Sequence, residues 1–173
     1  MRKFFGLILA FIFSGLMCQN IFADESKVFE ISKVEKQITV TYGGKLLQYI
    51  SWEEKSEPSV VLTTFFISYL EESDFWKNSV TNLGRGGVSK DEVLSEMEKK
   101  RNAFYGLVDR LVITVNPDKI ELLGHSKIDT IERAYFKIKI AYSYRGEEDA
   151  GEDDVLMIKD RASGDWYVAE LPL

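Results

Sequence analysis

The sequence predicts an α+β domain, with helices packed on an antiparallel sheet and a β-hairpin ahead of them. Three stretches carry that expectation. Ala134 to Tyr144 alternates strictly: Ala134, Phe136, Ile138, Ile140, Tyr142 and Tyr144 face one way, and Tyr135, Lys137, Lys139, Ala141 and Ser143 the other, as in a strand with one buried face. Ser89-Lys90-Asp91-Glu92 reads as a capping box, in which Ser89 accepts from the N–H of Glu92 and Glu92 reaches back. Gly43-Gly44 separates two strand-like runs, and a two-residue type I′ turn needs positive φ at both positions.

Taken in chain order, the first element is that hairpin, Gln37 to Tyr42 against Lys45 to Trp52. Pairing Tyr42 with Lys45, Val40 with Leu47 and Ile38 with Tyr49 gathers Ile38, Val40, Leu47 and Tyr49 on one face. Glu30 to Val34 is either a further strand or a lead-in. A helix follows, capped by Ser56 with Pro58 in its first turn. Leu62, Phe65, Phe66, Tyr69 and Leu70 recur at helical spacing, although β-branched Val60, Val61, Thr63, Thr64 and Ile67 argue for a strand. A short helix holds Phe75, Trp76 and Val80. The helix opened by Ser89 places Val93, Met97, Phe104, Val108 and Leu111 on one face. Asn116-Pro117-Asp118 reads as a turn into strands at Lys119 to Ser126, Ala134 to Tyr144, Asp154 to Lys159 and Trp166 to Leu171. The last two connections read as loops, Arg145 to Asp153 and Asp160 to Asp165.

Helices followed by antiparallel strands, ending in Gly164-Asp165-Trp166-Tyr167-Val168, resemble the NTF2-like (cystatin-like cone) superfamily. Many exported bacterial members end in a similar Gly-x-Trp-x-Val strand, and Phe104-Tyr105-Gly106-Leu107 on a helix is also similar to them. The resemblance covers roughly residues 58–173 and implies a strongly curved sheet. The N-terminal hairpin departs from the usual helical start. Catalytic members use carboxylate, tyrosine or histidine side chains inside the cone, and no position here matches such a motif.

Met1-Arg2-Lys3, the apolar run Phe4 to Cys18, and Ala23 ahead of Asp24-Glu25 form the three regions of a secretory signal. The apolar run falls short of the roughly 18–20 residues that span a bilayer, which disfavours an anchor. Cys18 raises lipidation, but Met17 stands where lipoprotein signals want a small residue. Cleavage after Ala23 would leave one exported domain, residues 24–173, periplasmic or secreted and without a stable anchor. Losing Arg2 and Lys3 makes the net charge of −6 two units more negative. That charge disfavours nucleic acid and anionic lipid. One histidine and no cysteine after the cut make structural zinc unfavourable.

The chain contains no Gly-x-Ser-x-Gly and no Cys–His pair, so no catalytic, cofactor-binding or metal-binding residue is assigned. His125 lacks a visible neighbour to tune it as a base and reads as a surface or hydrogen-bonded histidine. Glu147-Glu148-Asp149 and Glu152-Asp153-Asp154 bracket Ala150-Gly151 without EF-hand spacing, and read as a solvated loop. Gly84-Arg85-Gly86-Gly87 lacks the strand and Lys-Ser/Thr of a phosphate loop and reads as a helix–helix connection. Phe136, Ile138, Ile140, Tyr142 and Trp166 line either the core or a pocket. The favoured function is a non-enzymatic exported domain that binds a protein or envelope component. A carrier of a small apolar ligand comes second, and an isomerase or hydratase third.

Overall fold

The structure, a computed structural model, describes residues 27–48, 50, 54–123 and 130–172. Seven strands form one antiparallel sheet: β1 (Phe29–Val34), β2 (Gln37–Tyr42), β3 (Lys45–Leu46), β4 (Arg110–Leu123), β5 (Ile131–Tyr144), β6 (Glu147–Asp160) and β7 (Trp166–Glu170). Their order across the sheet is β3-β2-β1-β4-β5-β6-β7. The helices α1 (Pro58–Leu70) and α2 (Lys90–Lys100) come between β3 and β4, so the class is α+β.

At the start of the chain Gly43 and Gly44 both take positive φ, 55° and 73°, which lets Tyr42 pair with Lys45 and Thr41 with Leu46. The Leu47 N–H donates to the Val40 carbonyl at 2.8 Å. Strand pairing ends at Leu46 rather than reaching Trp52; Tyr49 and Ser51 to Glu53 lie outside the described residues. On its other side β2 pairs along its whole length with β1.

α1 is helical despite its β-branched residues, and its burial explains how. Every residue from Val61 to Leu70 is buried, along with Ser59. A helix apolar on all sides belongs in an interior, where packing overrides a few tenths of a kcal/mol of propensity per residue. Its hydroxyls are satisfied locally: Thr63 Oγ1 donates to the Ser59 carbonyl at 2.8 Å, and Ser68 Oγ to that of Thr64 at 3.0 Å. The N-cap is Glu57, whose side chain does not cap the helix, and not Ser56.

The helix opened by Ser89 is shorter than its apolar spacing predicts. Its capping box is present, but α2 stops at Lys100 and one π turn, Arg101–Tyr105, closes it. Lys33 Nζ donates to the Tyr105 carbonyl at 3.1 Å and satisfies that end. Val108 and Leu111 are buried, as the spacing required, but Leu111 belongs to β4. Apolar residues at helical intervals continue across the boundary because helix end and strand start share one core.

Asn116-Pro117-Asp118 is not a turn between elements. It sits in a bulge of β4: Val115 pairs with Ile138 and Ile120 with Phe136, so four residues of β4 stand opposite Lys137 alone. Proline has no N–H to give a ladder, and a bulge is where a strand tolerates it. The predicted loop from Arg145 to Asp153 is also overturned. A two-residue turn, Arg145-Gly146, with φ of 53° and 84°, joins β5 to β6, and the acidic run is strand.

Ile31, Leu62, Phe65, Phe66, Ile113, Ile138 and Val155 fill the space between helix and sheet. A second, smaller cluster of Ile131, Ile158 and Ala169 forms beside it. Gly84, at φ 74°, lies so close to Ile131 that a Cβ there would stand 2.8 Å from its Cδ1.

Candidate functional site

β5 and β6 pair over all 14 residues, from Ile131↔Asp160 to Tyr144↔Glu147. β7 borders β6 only from Leu156 to Lys159. Beyond the reach of β7 the far end of the β5–β6 hairpin, backed by β4 up to the pair Arg110↔Ser143, forms an arm whose β6 edge is open, and two open concavities lie along it.

One is a cleft of about 220 Å³ on the core side of the sheet, lined by Phe104, Ile140, Tyr142, Asp149, Gly151 and Asp153. Strand alternation places Ile140 and Tyr142 there with their partners Gly151 and Asp149. The π turn delivers Phe104, whose ring meets that of Tyr142 edge-on at 4.9 Å. The Tyr142 hydroxyl donates to Asp149 Oδ2 at 3.2 Å. Desolvation first, then this carboxylate, raises the Tyr142 pKa. Asp149 Oδ1 accepts from the Ala150 N–H at 2.8 Å. The other is a groove of about 430 Å³ on the opposite face, with Arg110, Ser143 and Glu148 around Val112, Ala141 and Ala150.

The five residues expected to line core or pocket do not converge. Phe136 and Ile138 are fully buried in the core. Ile140 and Tyr142, two and four positions further on from Ile138, border the cleft. Trp166 is buried at the start of β7, its N–H donating to the Lys55 carbonyl at 2.7 Å. Phe104, Asp149, Gly151 and Asp153 match no motif in the sequence that marks them as a site. The pairing that joins the last three to Ile140 and Tyr142 becomes readable once Arg145-Gly146 is taken as a two-residue turn.

The acidic run is split by the same alternation. Glu147, Asp149 and Asp153 share one face, and Glu148, Glu152 and Asp154 the other. Among the described residues no group of three or more His, Cys, Asp and Glu side chains is placed to hold a metal ion. Gly84-Arg85-Gly86-Gly87 joins the 3₁₀ segment Asp74–Ser79 to α2, and Arg85 is held by Glu96 at 3.2 Å and the Ala169 carbonyl at 3.3 Å. His125 lies outside the described residues.

No known family, no curated protein and no solved structure matches this chain. The six carboxylates of the arm between Glu147 and Asp154 make, among the described residues, a single ion pair, Lys139 to Glu152 at 3.7 Å. The arm combines a short apolar floor, a dense negative charge and an unpaired strand edge. No helix among the described residues is long and apolar enough to cross a membrane.

Proposed function

We propose that this chain is an exported, non-enzymatic binding domain, and that the end of β5–β6 beyond β7 is where it engages a protein or cell-envelope component. The observation that carries the reading is the contrast between a filled interior and an open arm. Phe65, Phe66, Phe136 and Ile138 are fully buried between helix and sheet, whereas the clefts open on the arm. The Met1 to Ala23 pattern supports export.

We also propose that the sheet wraps around α1 in the manner of an NTF2-like cone. Contacts of α1 with β7 at one side and with β1 and β4 at the other support this, as does the bulge at 116–119, since bulges bend strands.

The test is a photo-reactive residue in place of Gly151, where a Cβ meets nothing within 4 Å. The control carries it at exposed Lys45 on β3. After irradiation in the cell of origin, intact mass spectrometry should show a discrete protein-sized adduct at 151 and none at 45. A gain of only a few hundred daltons would move the assignment to a small apolar ligand. No adduct at 151, or identical adducts at both positions, would overturn it. The same spectra should show an N-terminus at Asp24; a retained Met1 or a lipid on Cys18 would remove the export assignment as drawn.

A further inference from the structure

We infer that the free edge of β6, from Glu147 to Val155, takes up an extended lysine- or arginine-bearing segment of a partner protein as an added strand, with one apolar side chain of that segment in the Phe104–Ile140–Tyr142 cleft. This rests on the binding reading above and names the partner's chemistry.

The backbone of β6 is already arranged to pair. β6 is fully paired with β5 on one side, so residues 147–155 are already held extended. On the other side β7 stops at the pair Leu156↔Glu170, and among the described residues no backbone hydrogen bond covers the edge beyond it. An unpaired row of N–H and C=O groups on a preformed strand is a template for another strand. Because β6 is ordered beforehand, only the incoming segment loses conformational freedom.

Charge selects the incoming segment. Glu147, Glu148, Asp149, Glu152, Asp153 and Asp154 line the edge on both faces, and among the described residues only Glu152 has an ion-pair partner. A second copy of this chain, edge to edge, would set carboxylate against carboxylate, and like charges across a strand pair are destabilising. The edge is thus protected against self-pairing and complementary to a basic segment. Such complementarity speeds encounter and rejects wrong partners.

The cleft adds a side-chain subsite. Strand addition draws affinity from main-chain bonds and specificity from pockets that receive alternate side chains. The cleft of about 220 Å³ lies beside the edge, and Gly151 leaves its mouth open. Asp149 and Asp153 flank it, so the segment this site fits carries one large apolar residue with basic residues two positions to either side.

The experiment uses the purified protein and three synthetic ten-residue peptides. One alternates lysine and valine around a central leucine. The second is identical but N-methylated at alternate residues, which keeps the charge and removes main-chain donors. The third has glutamate for lysine. Fluorescence anisotropy at low salt should show saturable binding of the first, at least tenfold weaker binding of the second, and none of the third. Amide hydrogen exchange should slow within 147–155 when the first peptide is bound. Equal binding of the N-methylated peptide, protection elsewhere, or no binding would each overturn the inference. If the peptides fail while residue 151 still cross-links to a protein, the basic strand falls and the binding surface stands. If both fail, both fall.

Discussion

Phe136→Ala should cost about 3–5 kcal/mol in equilibrium urea unfolding, while Lys137→Ala, one residue along, should cost less than about 0.5 kcal/mol. Phe136 is fully buried, paired with Ile120 on one side and Val155 on the other, in the same cluster as Phe65 and Leu62 from α1. Removing the ring takes away its transfer energy and leaves a cavity that a sheet anchored on both sides of β5 closes poorly. Lys137 points to the opposite, exposed face, toward Asp154. Typical domains hold only about 5–15 kcal/mol in all, so the phenylalanine loss should be visible as a large fall in the urea midpoint. Small and equal losses for the two variants would mean that Phe136 lines an open space, and would restore the ligand-carrier reading.

Side-chain patterns made the interior legible and left the arm hidden. Alternation from Ala134 to Tyr144 announces β5 because one face is apolar, and burial follows that alternation as far as Ile140. From Glu147 to Asp154 both faces are exposed, so no hydrophobic period exists to separate strand from loop. What holds this stretch as strand is the ladder to β5, which the sequence records only in the turn residues Arg145-Gly146. The end of α2 was hidden for the opposite reason. Val93, Met97, Val108 and Leu111 are all buried, so helical spacing outruns the helix. The bulge at Asn116 to Lys119 carries a proline and reads as a turn, because local chemistry cannot tell a turn that ends a strand from one inside it. The edge proposed to receive a partner is therefore the part of the chain with the least periodic sequence. A strand kept polar on both faces escapes aggregation, and by the same token looks like a loop.

Two neighbouring tyrosines should respond in opposite directions to loss of one oxygen. The rings of Tyr69 and Tyr105 meet edge-on, 5.6 Å apart, and both are fully or almost fully buried. The Tyr69 hydroxyl donates to the Met97 carbonyl. The Tyr105 hydroxyl is buried with no hydrogen-bond partner among the described residues. Tyr69→Phe removes a bond but leaves the Met97 carbonyl its helical partner, the Arg101 N–H, so the expected loss is about 0.5–1.5 kcal/mol. Tyr105→Phe removes an oxygen whose burial goes unrepaid and should stabilise by about 1–2 kcal/mol, within the penalty of an unsatisfied buried group. Alkaline pH supplies a second readout. Burial is the main cause that raises both pKa values well above the ordinary 10.0; the other tyrosine adds to it for Tyr69, and Asp153 for Tyr105. The unfolded chain releases these protons near pH 10 and the folded chain retains them, so stability is intact below pH 10 and falls as pH rises beyond it. Each tyrosine contributes a slope of up to about 1.4 kcal/mol per pH unit. Urea unfolding at pH 9 and pH 11 should show a smaller alkaline loss in Tyr105→Phe than in the parent protein. A Tyr105→Phe variant that is less stable at pH 9 would show that its hydroxyl is bonded, and would remove the hydroxyl from the set of uncompensated buried groups; an alkaline loss unchanged by the substitution would show that the hydroxyl is not buried.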